Sequence, residues 1–478
     1  MLDRIIKKQI FKNTFWLGLS EGISRLAMFL LIIYVARILG PNQFGVFSFA
    51  LAFCSLFLIF SHLGLSEIII RELAEDKENE KKYPAILTLK ISLSIFAYLL
   101  LFLSSFFISN EMRKIVWILG IYVLSNNFLI IIYAFFRARQ KMKYEAGIKI
   151  IQSFLILGMG FILLKYIPSV ETLGYVLFGS TLLTILFVLT LFSIFIMPIS
   201  LSFDFAVWKN FLKLSWPLGL AVAIGVILLR INSVMMGYLG QLTEVGWYNA
   251  AYRIVGIAII FSALMLSSFF PALSKIFKES KERAEQIYNL YREITIAIAV
   301  PLVVSGIVLS SKIILFLYGA SYLPAVLAFQ ILIGVAGINF LYNPYSMMFV
   351  VSNKQKAILI ISSITVGINI VLNIILIPRY SLYGAAIATL ISYLILLFIT
   401  FEISRRLNLF NLVYRNLFKT LIISIFSTMM MIGIITIPYI FSLHILLLIA
   451  LGIVIYLTIL FFFIQVGLLG LNLKHWLT

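Results

Sequence analysis

Apolar residues run along this chain in long, nearly unbroken stretches, and polar and charged residues are collected in short segments between them. A helix that crosses the hydrocarbon core of a bilayer needs about 20 apolar residues. Fourteen stretches qualify, near residues 14–36, 44–66, 84–108, 115–136, 147–166, 173–197, 214–239, 247–272, 294–317, 323–350, 357–377, 383–403, 417–440 and 444–469. The connections are too short for a soluble catalytic domain. The pattern predicts an all-α polytopic membrane protein with about 14 transmembrane helices.

The composition supports the same prediction. Hydrophobic residues make up 63% of the chain and charged residues 12%, and the mean hydropathy is +1.11. Soluble domains are nearer half apolar and a quarter charged, so a water-soluble fold is excluded. The single cysteine, Cys54, cannot form an internal disulfide or a cysteine-based metal site. The sequence has no Walker-type GK[ST] loop, no HExxH motif and no acidic metal cluster, so neither a catalytic residue nor a bound metal or cofactor is predicted.

The formal charge of +19 would suggest nucleic acid in a soluble protein, but here the basic residues must first be placed relative to a bilayer. Cytoplasmic connections of membrane proteins carry an excess of Lys and Arg. When bases in the first or last six residues of a stretch are counted with the adjoining connection, the termini and the even-numbered connections hold 27 of the 37 basic residues, the odd-numbered connections hold six, and four lie deeper within the apolar stretches. We therefore predict a cell-membrane protein with both termini in the cytoplasm and without a nucleic-acid partner.

The chain also repeats itself at a spacing near 200 residues. The turn at 39–45 matches the turn at 239–246 with one inserted residue, and Pro168 and Gly174 recur as Pro378 and Gly384. Six stretches separate each position from its copy, so the two copies enter the membrane in the same direction. Parallel repeats of this kind form two lobes with a substrate path between them. The predicted division is 1–205 (spans 1–6), 206–404 (spans 7–12) and 405–478 (spans 13 and 14).

Four bases and one acid lie beyond the first and last six residues of the predicted spans, and they are the main candidate site residues. The bases are Arg25, Lys90, Arg230 and Arg253, and the acid is Glu21. A charged side chain near the bilayer centre costs about 2.5–3.5 kcal/mol on insertion scales, so it must face protein or water. The excess of base over acid predicts an anionic substrate, because an arginine fork suits phosphate or carboxylate oxygens. Structural ion pairs between helices are the alternative for each base.

These candidate residues are not equally well supported. Glu21 lies four positions before Arg25 on one helix face, so the two charges can partly neutralise each other. Lys90 is about six residues from the cytoplasmic end of its span and is expected to extend its amine outward, which makes it a weak candidate. Arg37, in the first external turn, is a second weak candidate.

Several motifs resemble those of a known family. They are the segments at 34–40 (YVARILG), 270–275 (FPALSK), 317–325 (LYGASYLPA) and 378–389 (PRYSLYGAAIAT). The chain resembles the Wzx-type O-antigen and capsule polysaccharide flippases of the multidrug/oligosaccharidyl-lipid/polysaccharide exporter superfamily. The resemblance implies a secondary-type transporter rather than an enzyme. It implies a V-shaped cavity that opens alternately to each side and turns over a polyprenyl-pyrophosphate-linked oligosaccharide, with glycan polymerase or ligase machinery as a further partner.

The resemblance also ranks the arginines. Related lipid II flippases have a Ser-Arg pair twelve residues before an Ala-Arg turn, and Ser24-Arg25 stands twelve residues before Arg37 here. Their arginine in span 8 matches Arg253, so Arg25 and Arg253 are the implied ligands of the pyrophosphate. A second arginine of those flippases falls on Leu31, and their span 2 arginine has no counterpart at 54–61. Arg230 is particular to this chain.

Glu21 is interpreted as tuning Arg25 or coupling transport to H⁺ or Na⁺. Three other functions remain open at this point. A cation-coupled drug exporter of the same superfamily would need acids that face the cavity, and Glu21 alone supports that function only weakly. A membrane glycan polymerase or ligase would need a larger external loop. A pure scaffold would leave the buried charge unexplained.

Overall fold

The computed structural model describes residues 2–75, 77–195, 200–407 and 414–466. Regular structure within these ranges is helical throughout, which confirms the predicted all-α class. The helices are α1 (Leu2–His62), α2 (Leu65–Glu75), α3 (Tyr83–Ser104), α4 (Asn110–Ala138), α5 (Met142–Tyr166), α6 (Val170–Phe195), α7 (Phe205–Tyr238), α8 (Leu242–Glu279), α9 (Lys281–Val308), α10 (Ser310–Tyr318), α11 (Ala325–Val351), α12 (Gln355–Arg406), α13 (Tyr414–Ile435), α14 (Pro438–Phe441) and α15 (Ile445–Gln465). Short 3₁₀ turns lie at Lys77–Lys82, Ser105–Phe107 and Ala320–Tyr322.

Twelve continuous segments of the described chain are long and apolar enough to cross a membrane. Two of them are far too long for one crossing: Lys12–Glu75 has 64 residues and Gln355–Arg406 has 52. Each of the two contains a residue with non-helical backbone angles, Gly40 and Ser381 respectively. Because about 20 residues suffice for one crossing, each segment covers two of the predicted spans. The twelve segments thus correspond to the fourteen predicted apolar stretches.

The outer surface of the helices is apolar, as expected for helices in lipid. Phe107 is 82% exposed, and Phe398 and Phe461 are 67% and 57% exposed. Such exposure on a water-soluble protein would be an aggregation hazard, whereas in a bilayer these rings contact acyl chains. The protein is therefore a multi-pass membrane protein.

One predicted boundary was wrong. The span predicted at 294–317 belongs to a helix that begins at Lys281, because helix α9 extends beyond its apolar part into a polar and charged segment. The polar run that follows the second predicted span is also partly helical, since helix α2 extends to Glu75 and a 3₁₀ turn covers Lys77–Lys82. Polar helical ends carry no hydropathy signal, so hydropathy alone places such boundaries poorly.

The chain forms two compact units, Met1–Gly246 (unit 1) and Trp247–Thr478 (unit 2). In unit 1, α1 packs on α4, α5 and α7. An aromatic cluster joins α3, α4 and α6, in which the ring of Tyr83 lies 4.7 Å from that of Phe135 and 5.5 Å from that of Phe192. This division is based on compactness, which groups α7 with the helices on which it packs. It does not follow the internal repeat, so the lobe boundary predicted at 205/206 stays a prediction.

Glycines permit the close packing of α1 against α7. A Cβ atom on Gly237 would overlap the ring of Phe49, and one on Gly219 would lie 2.7 Å from the backbone of Leu63. Neither position has room for a larger side chain. The second half of α1 therefore lies directly against the α7 backbone.

Unit 2 is built on the packing of α11 against α9 and α12, and α13 packs on both α9 and α15. Its core includes Leu273, Tyr288 and Met348, which are fully or almost fully buried. Helix α15 is tied to α9 by a hydrogen bond of 2.6 Å from the Tyr456 hydroxyl to the Ala297 carbonyl oxygen.

Candidate functional site

Two of the candidate residues on helix α1, Glu21 and Arg25, contact each other. Arg25 Nε donates to Glu21 Oε2 at 3.3 Å, as their spacing of four residues predicts. The side chain of Arg25 is 57% exposed and that of Glu21 44%. A charged guanidinium near the middle of an apolar span would be energetically unfavourable if it faced lipid. Arg25 is therefore placed to face water or a ligand.

Helices α4 and α5 extend this pair into a network of charges. Lys149 Nζ lies 2.6 Å from Glu21 Oε1 and 2.9 Å from Glu145 Oε1. Glu145 has no exposed side-chain surface, and Arg137 binds it through two donors at 2.6 and 2.8 Å. Each contact joins a base to an acid, so the charges alternate in sign from Arg25 through Glu21, Lys149 and Glu145 to Arg137. Alternation of this kind lowers the cost of holding each ion out of water.

A cavity of about 450 Å³ within unit 1 opens onto this network. Its lining residues are Glu21, Ser24, Ala27, Met28, His62, Ser66, Glu67, Tyr122, Asn126, Ile130, Tyr133, Arg137, Lys149, Gln152, Ser153 and Ile156. The polar groups among them are ordered by mutual bonds: Ser153 Oγ donates to Ser24 Oγ at 2.8 Å, and Gln152 Nε2 donates to Asn126 Oδ1 at 3.1 Å. A site lined with hydroxyls, amides and charges of both signs can bind a hydrated, polar headgroup.

The other predicted residues lie in different parts of the fold. Arg230 is half-buried near the end of α7 in unit 1, and Arg253 is half-buried on α8 in unit 2. Arg37 is exposed on α1, three residues before the break at Gly40. Their roles as substrate ligands stay predictions.

The expectation for Lys90 was wrong. Its amine does not extend outward: the side chain is 1% exposed, and Nζ donates to the carbonyl oxygen of Ser61 at 2.6 Å and to its hydroxyl at 3.0 Å. The Ser61 hydroxyl is also paired with that of Ser94 at 2.9 Å. Lys90 is thus a buried cation of unit 1 that joins α3 to α1.

Among the described residues, two buried acids and two buried or mostly buried bases escaped the sequence analysis. Glu145 and Glu293 are buried acids, and Lys149 and Arg292 are buried or mostly buried bases. They lie within the first few turns of α5 and α9, where Glu145, Arg292 and Glu293 precede the predicted spans and Lys149 is the third residue of one. All four were therefore counted with the polar connections. Adding these two acids and two bases to the charges counted within the predicted spans leaves the excess of base over acid unchanged. The one signal in the sequence was Glu145 with Lys149, a spacing of four residues on one helix.

A polytopic helical bundle with a charged polar cavity is the architecture of a membrane transporter rather than of a soluble enzyme. The sequence model of the family described as "polysaccharide biosynthesis protein" matches residues 10–277. The chain belongs to this polysaccharide biosynthesis protein family.

Two curated relatives align along most of the chain. The capsular polysaccharide biosynthesis protein CapF of Staphylococcus aureus is 22% identical, over 81% of this chain and 97% of its own length. A probable low-salt glycan biosynthesis flippase, Agl15 of Haloferax volcanii, is also 22% identical, over 82% of this chain and 81% of its own.

Solved structures share the fold. The lipid II flippase MurJ in an inward closed conformation superposes with a TM-score of 0.74 at 19% identity, covering 94% of this chain and 99% of its own. An inward-facing multidrug resistance transporter of the MATE family in the MOP superfamily gives a TM-score of 0.57 at 15% identity, over 82% of this chain and 94% of its own. The chain shares the fold of these two transporters. The family resemblance inferred from the sequence motifs is confirmed by the family match over residues 10–277.

Proposed function

We propose that this chain is a flippase, which moves a polyprenyl-pyrophosphate-linked oligosaccharide from the cytoplasmic to the outer leaflet of the cell membrane by alternating access. The observation that carries the proposal is the likeness to a probable glycan biosynthesis flippase over 82% of the chain. The family match over residues 10–277 supports the same substrate class. The described helices leave no room for a soluble catalytic domain, which favours transport over glycan synthesis.

The unit 1 cavity supports the proposal through its chemistry. Sugar hydroxyls need both donors and acceptors, and Ser24, Asn126, Gln152 and Ser153 offer both at the cavity wall. A largely apolar wall with a few acids would instead fit a cationic drug. The bonds among these side chains hold them in place before a headgroup arrives, which lowers the entropic cost of binding.

In this proposal Arg25 is a ligand of the pyrophosphate, together with Arg253 and with help from Arg230. The exposed guanidinium of Arg25 keeps one donor on Glu21 and presents others to phosphate oxygens. Glu21 is held by both Lys149 and Arg25. It orients Arg25, and it is the candidate group for coupling to H⁺ or Na⁺. Both termini lie in the cytoplasm, as the distribution of Lys and Arg predicts.

The first test replaces the two arginines. Arg25→Ala and Arg253→Ala should each lower leaflet transfer of a lipid-linked oligosaccharide about tenfold or more, because each removes charge-assisted hydrogen bonds to phosphate. Transfer is measured in liposomes that contain the purified protein, with and without ion gradients. Arg283→Ala is the matched control, since this base is exposed at the start of α9.

Arg25→Ala leaves Glu21 bonded to Lys149, so the variant should fold and insert normally. Full transfer by both arginine variants would remove the assignment of the pyrophosphate site. Failure of the wild-type protein to transfer any lipid-linked oligosaccharide, combined with drug resistance in a sensitive host, would replace the flippase by a drug exporter.

A further inference from the structure

A second cavity, of about 410 Å³, lies within unit 2 and has a different character. Four helices line it. Three of them, α9, α11 and α12, contribute residues at helical spacing, so each of these three presents one continuous face. The face of α12 is apolar, the face of α11 includes Tyr345, and the face of α9 begins with Arg292 and continues with Thr295 and Ile296. The apolar lining residues are Ile296, Leu341, Leu394, Leu397, Phe398, Phe401 and Leu417.

Arg292 is the single charged residue among those that line this cavity, and it is 3% exposed. Its NH1 donates to Asn289 Oδ1 and its NH2 to the Tyr345 hydroxyl, both at 3.1 Å. The guanidinium also lies over the rings of Tyr288 and Tyr345, 5.5 and 5.4 Å from their centroids. These bonds engage one donor on each terminal nitrogen of a group that has five, so the fork is fixed in orientation and retains donors for an oxygen in the cavity.

An acidic neighbour reduces the cost of burying this arginine. Glu293 is 4% exposed and interacts electrostatically with Arg292, while its carboxylate is hydrogen bonded to Asn416. Glu293 does not line the cavity. Consecutive residues of a helix point in different directions, so the carboxylate stabilises the arginine without occupying the cavity.

The depth of the cavity matches the boundary between headgroups and acyl chains. Arg292 lies two residues before the apolar stretch that begins at 294, whereas the first residues of α9 are polar. Two of the lining residues, Leu394 and Phe398, are 48% and 67% exposed on the apolar surface of unit 2, and from this we infer that the mouth lies between them. The cavity therefore opens to lipid, with its cation at the polar end.

Charge complementarity selects the ligand. The predicted orientation puts this end of α9 on the cytoplasmic side, where anionic lipids are concentrated. The bases Lys275, Lys278 and Lys281 precede it along the chain. The wall has three polar side chains, Arg292, Thr295 and Tyr345, which suits one phosphate and an acyl chain but not a glycan headgroup.

We propose that this cavity binds one phospholipid with an anionic headgroup, its phosphate on Arg292 and part of an acyl chain along the face of α12. The bound lipid bridges α9, α11 and α12, and through Leu417 it also contacts α13. The site is separate from the candidate residues of unit 1 and does not depend on the proposed transport function.

The test measures lipid retention by the full-length protein with native mass spectrometry. The probes are phosphatidylglycerol, phosphatidylcholine, a polyprenyl phosphate and inorganic phosphate. We expect the wild-type protein to retain phosphatidylglycerol, and Arg292→Gln to weaken that retention about tenfold or more, because a charge-assisted bond is lost. Arg292→Lys should retain part of it. Arg283→Gln is the matched control, since it removes the same charge from an exposed position on the same helix.

A second variant leaves the arginine in place. Leu394→Trp fills the exposed mouth and should also reduce retention, and because Leu394 is half exposed this variant should fold. Equal retention of phosphatidylcholine and phosphatidylglycerol would overturn the proposal, as would an Arg292→Gln effect no larger than that of Arg283→Gln. Preferred retention of polyprenyl phosphate would overturn it in favour of a site for the carrier lipid, and binding of inorganic phosphate alone would overturn the role of the acyl chain.

Discussion

At the scale of single residues, two buried charges of unit 1 have different surroundings. Glu145 has no exposed side-chain surface and is held by two cations, Arg137 and Lys149. Lys90 is equally buried, yet both of its bonds go to neutral oxygens of Ser61. A paired buried charge stabilises its partners, whereas a buried charge held by neutral groups alone costs stability. The two residues therefore lead to opposite expectations.

Glu145→Gln should lower the free energy of unfolding by about 3 kcal/mol, because it leaves Arg137 and Lys149 with an uncompensated positive charge. The measurement is the thermal midpoint of the purified protein in detergent. Glu78→Gln is the control, since Glu78 pairs with Lys81 at the exposed surface, and there we expect less than about 1 kcal/mol. An equal effect of the two substitutions would contradict the role assigned to the buried network.

Lys90→Met should leave the thermal midpoint unchanged or raise it, because Met has a similar length and removes a buried charge. The comparison is Lys149→Met, which loses contacts to both Glu21 and Glu145 and should destabilise the protein. If Lys90→Met folds normally but transfers less substrate in the liposome assay, the charge serves transport. A large loss of stability would instead make Lys90 a structural cation.

At the scale of elements, two long helices are broken where the chain must reverse direction. Gly40 has φ +74° and ψ 173°, which is accessible almost only to glycine. Gly240, its counterpart in the internal repeat, also has φ +74°. The two turns matched in the sequence thus have the same φ angle at matched glycines. In α12 the break falls on Ser381, at φ 50°.

Gly40→Ala should destabilise the protein by about 1–3 kcal/mol, because a Cβ is strained at this backbone conformation although no neighbouring atom would contact it. Gly22→Ala is the control on the same helix. Gly22 has no neighbouring atom within 4 Å and helical geometry, so alanine there should be neutral or stabilising by up to about 1 kcal/mol. Thermal midpoints in detergent distinguish the two, and a tolerated Gly40→Ala would show that the turn relaxes.

At the scale of the molecule, the repeated turns at 39–45 and 239–246 pack against each other within unit 1. A Cβ on Gly45 would overlap the backbone of Leu242, and one on Gly246 would overlap the backbone of Pro41. Asn42 Nδ2 donates to Thr243 Oγ1 at 3.1 Å. The two glycines make the contact nearly reciprocal, and the distribution of Lys and Arg predicts that it lies on the outer side of the membrane.

If transport requires this outer contact to open, a short thiol cross-link between Asn42→Cys and Thr243→Cys should abolish leaflet transfer. The native Cys54 is buried and so should not react. Each single-cysteine variant, treated with the same reagent, is the control. Undiminished transfer by a fully cross-linked double variant would mean that the turns stay together during transport.

Much of the fold could be predicted from the sequence, because each apolar stretch reports its own transfer free energy independently of the rest of the chain. The candidate site was predicted in part. Arg25 and Glu21 were predicted as a pair because four residues of helix bring them together. Lys149 was missed as the second partner of Glu21, since the two lie 128 residues apart and meet through the packing of α1 on α5.

The sequence by itself thus determined the membrane class, the fourteen apolar stretches, the repeat and the turn glycines, all of which depend on local hydropathy or local backbone geometry. The tertiary structure alone decided which charges are buried and what they contact: Lys90 on Ser61, Glu145 between two cations, and Arg292 at the polar end of an apolar cavity. The physical reason is that the environment of a side chain is set by the helices packed around it, and those helices come from distant parts of the chain.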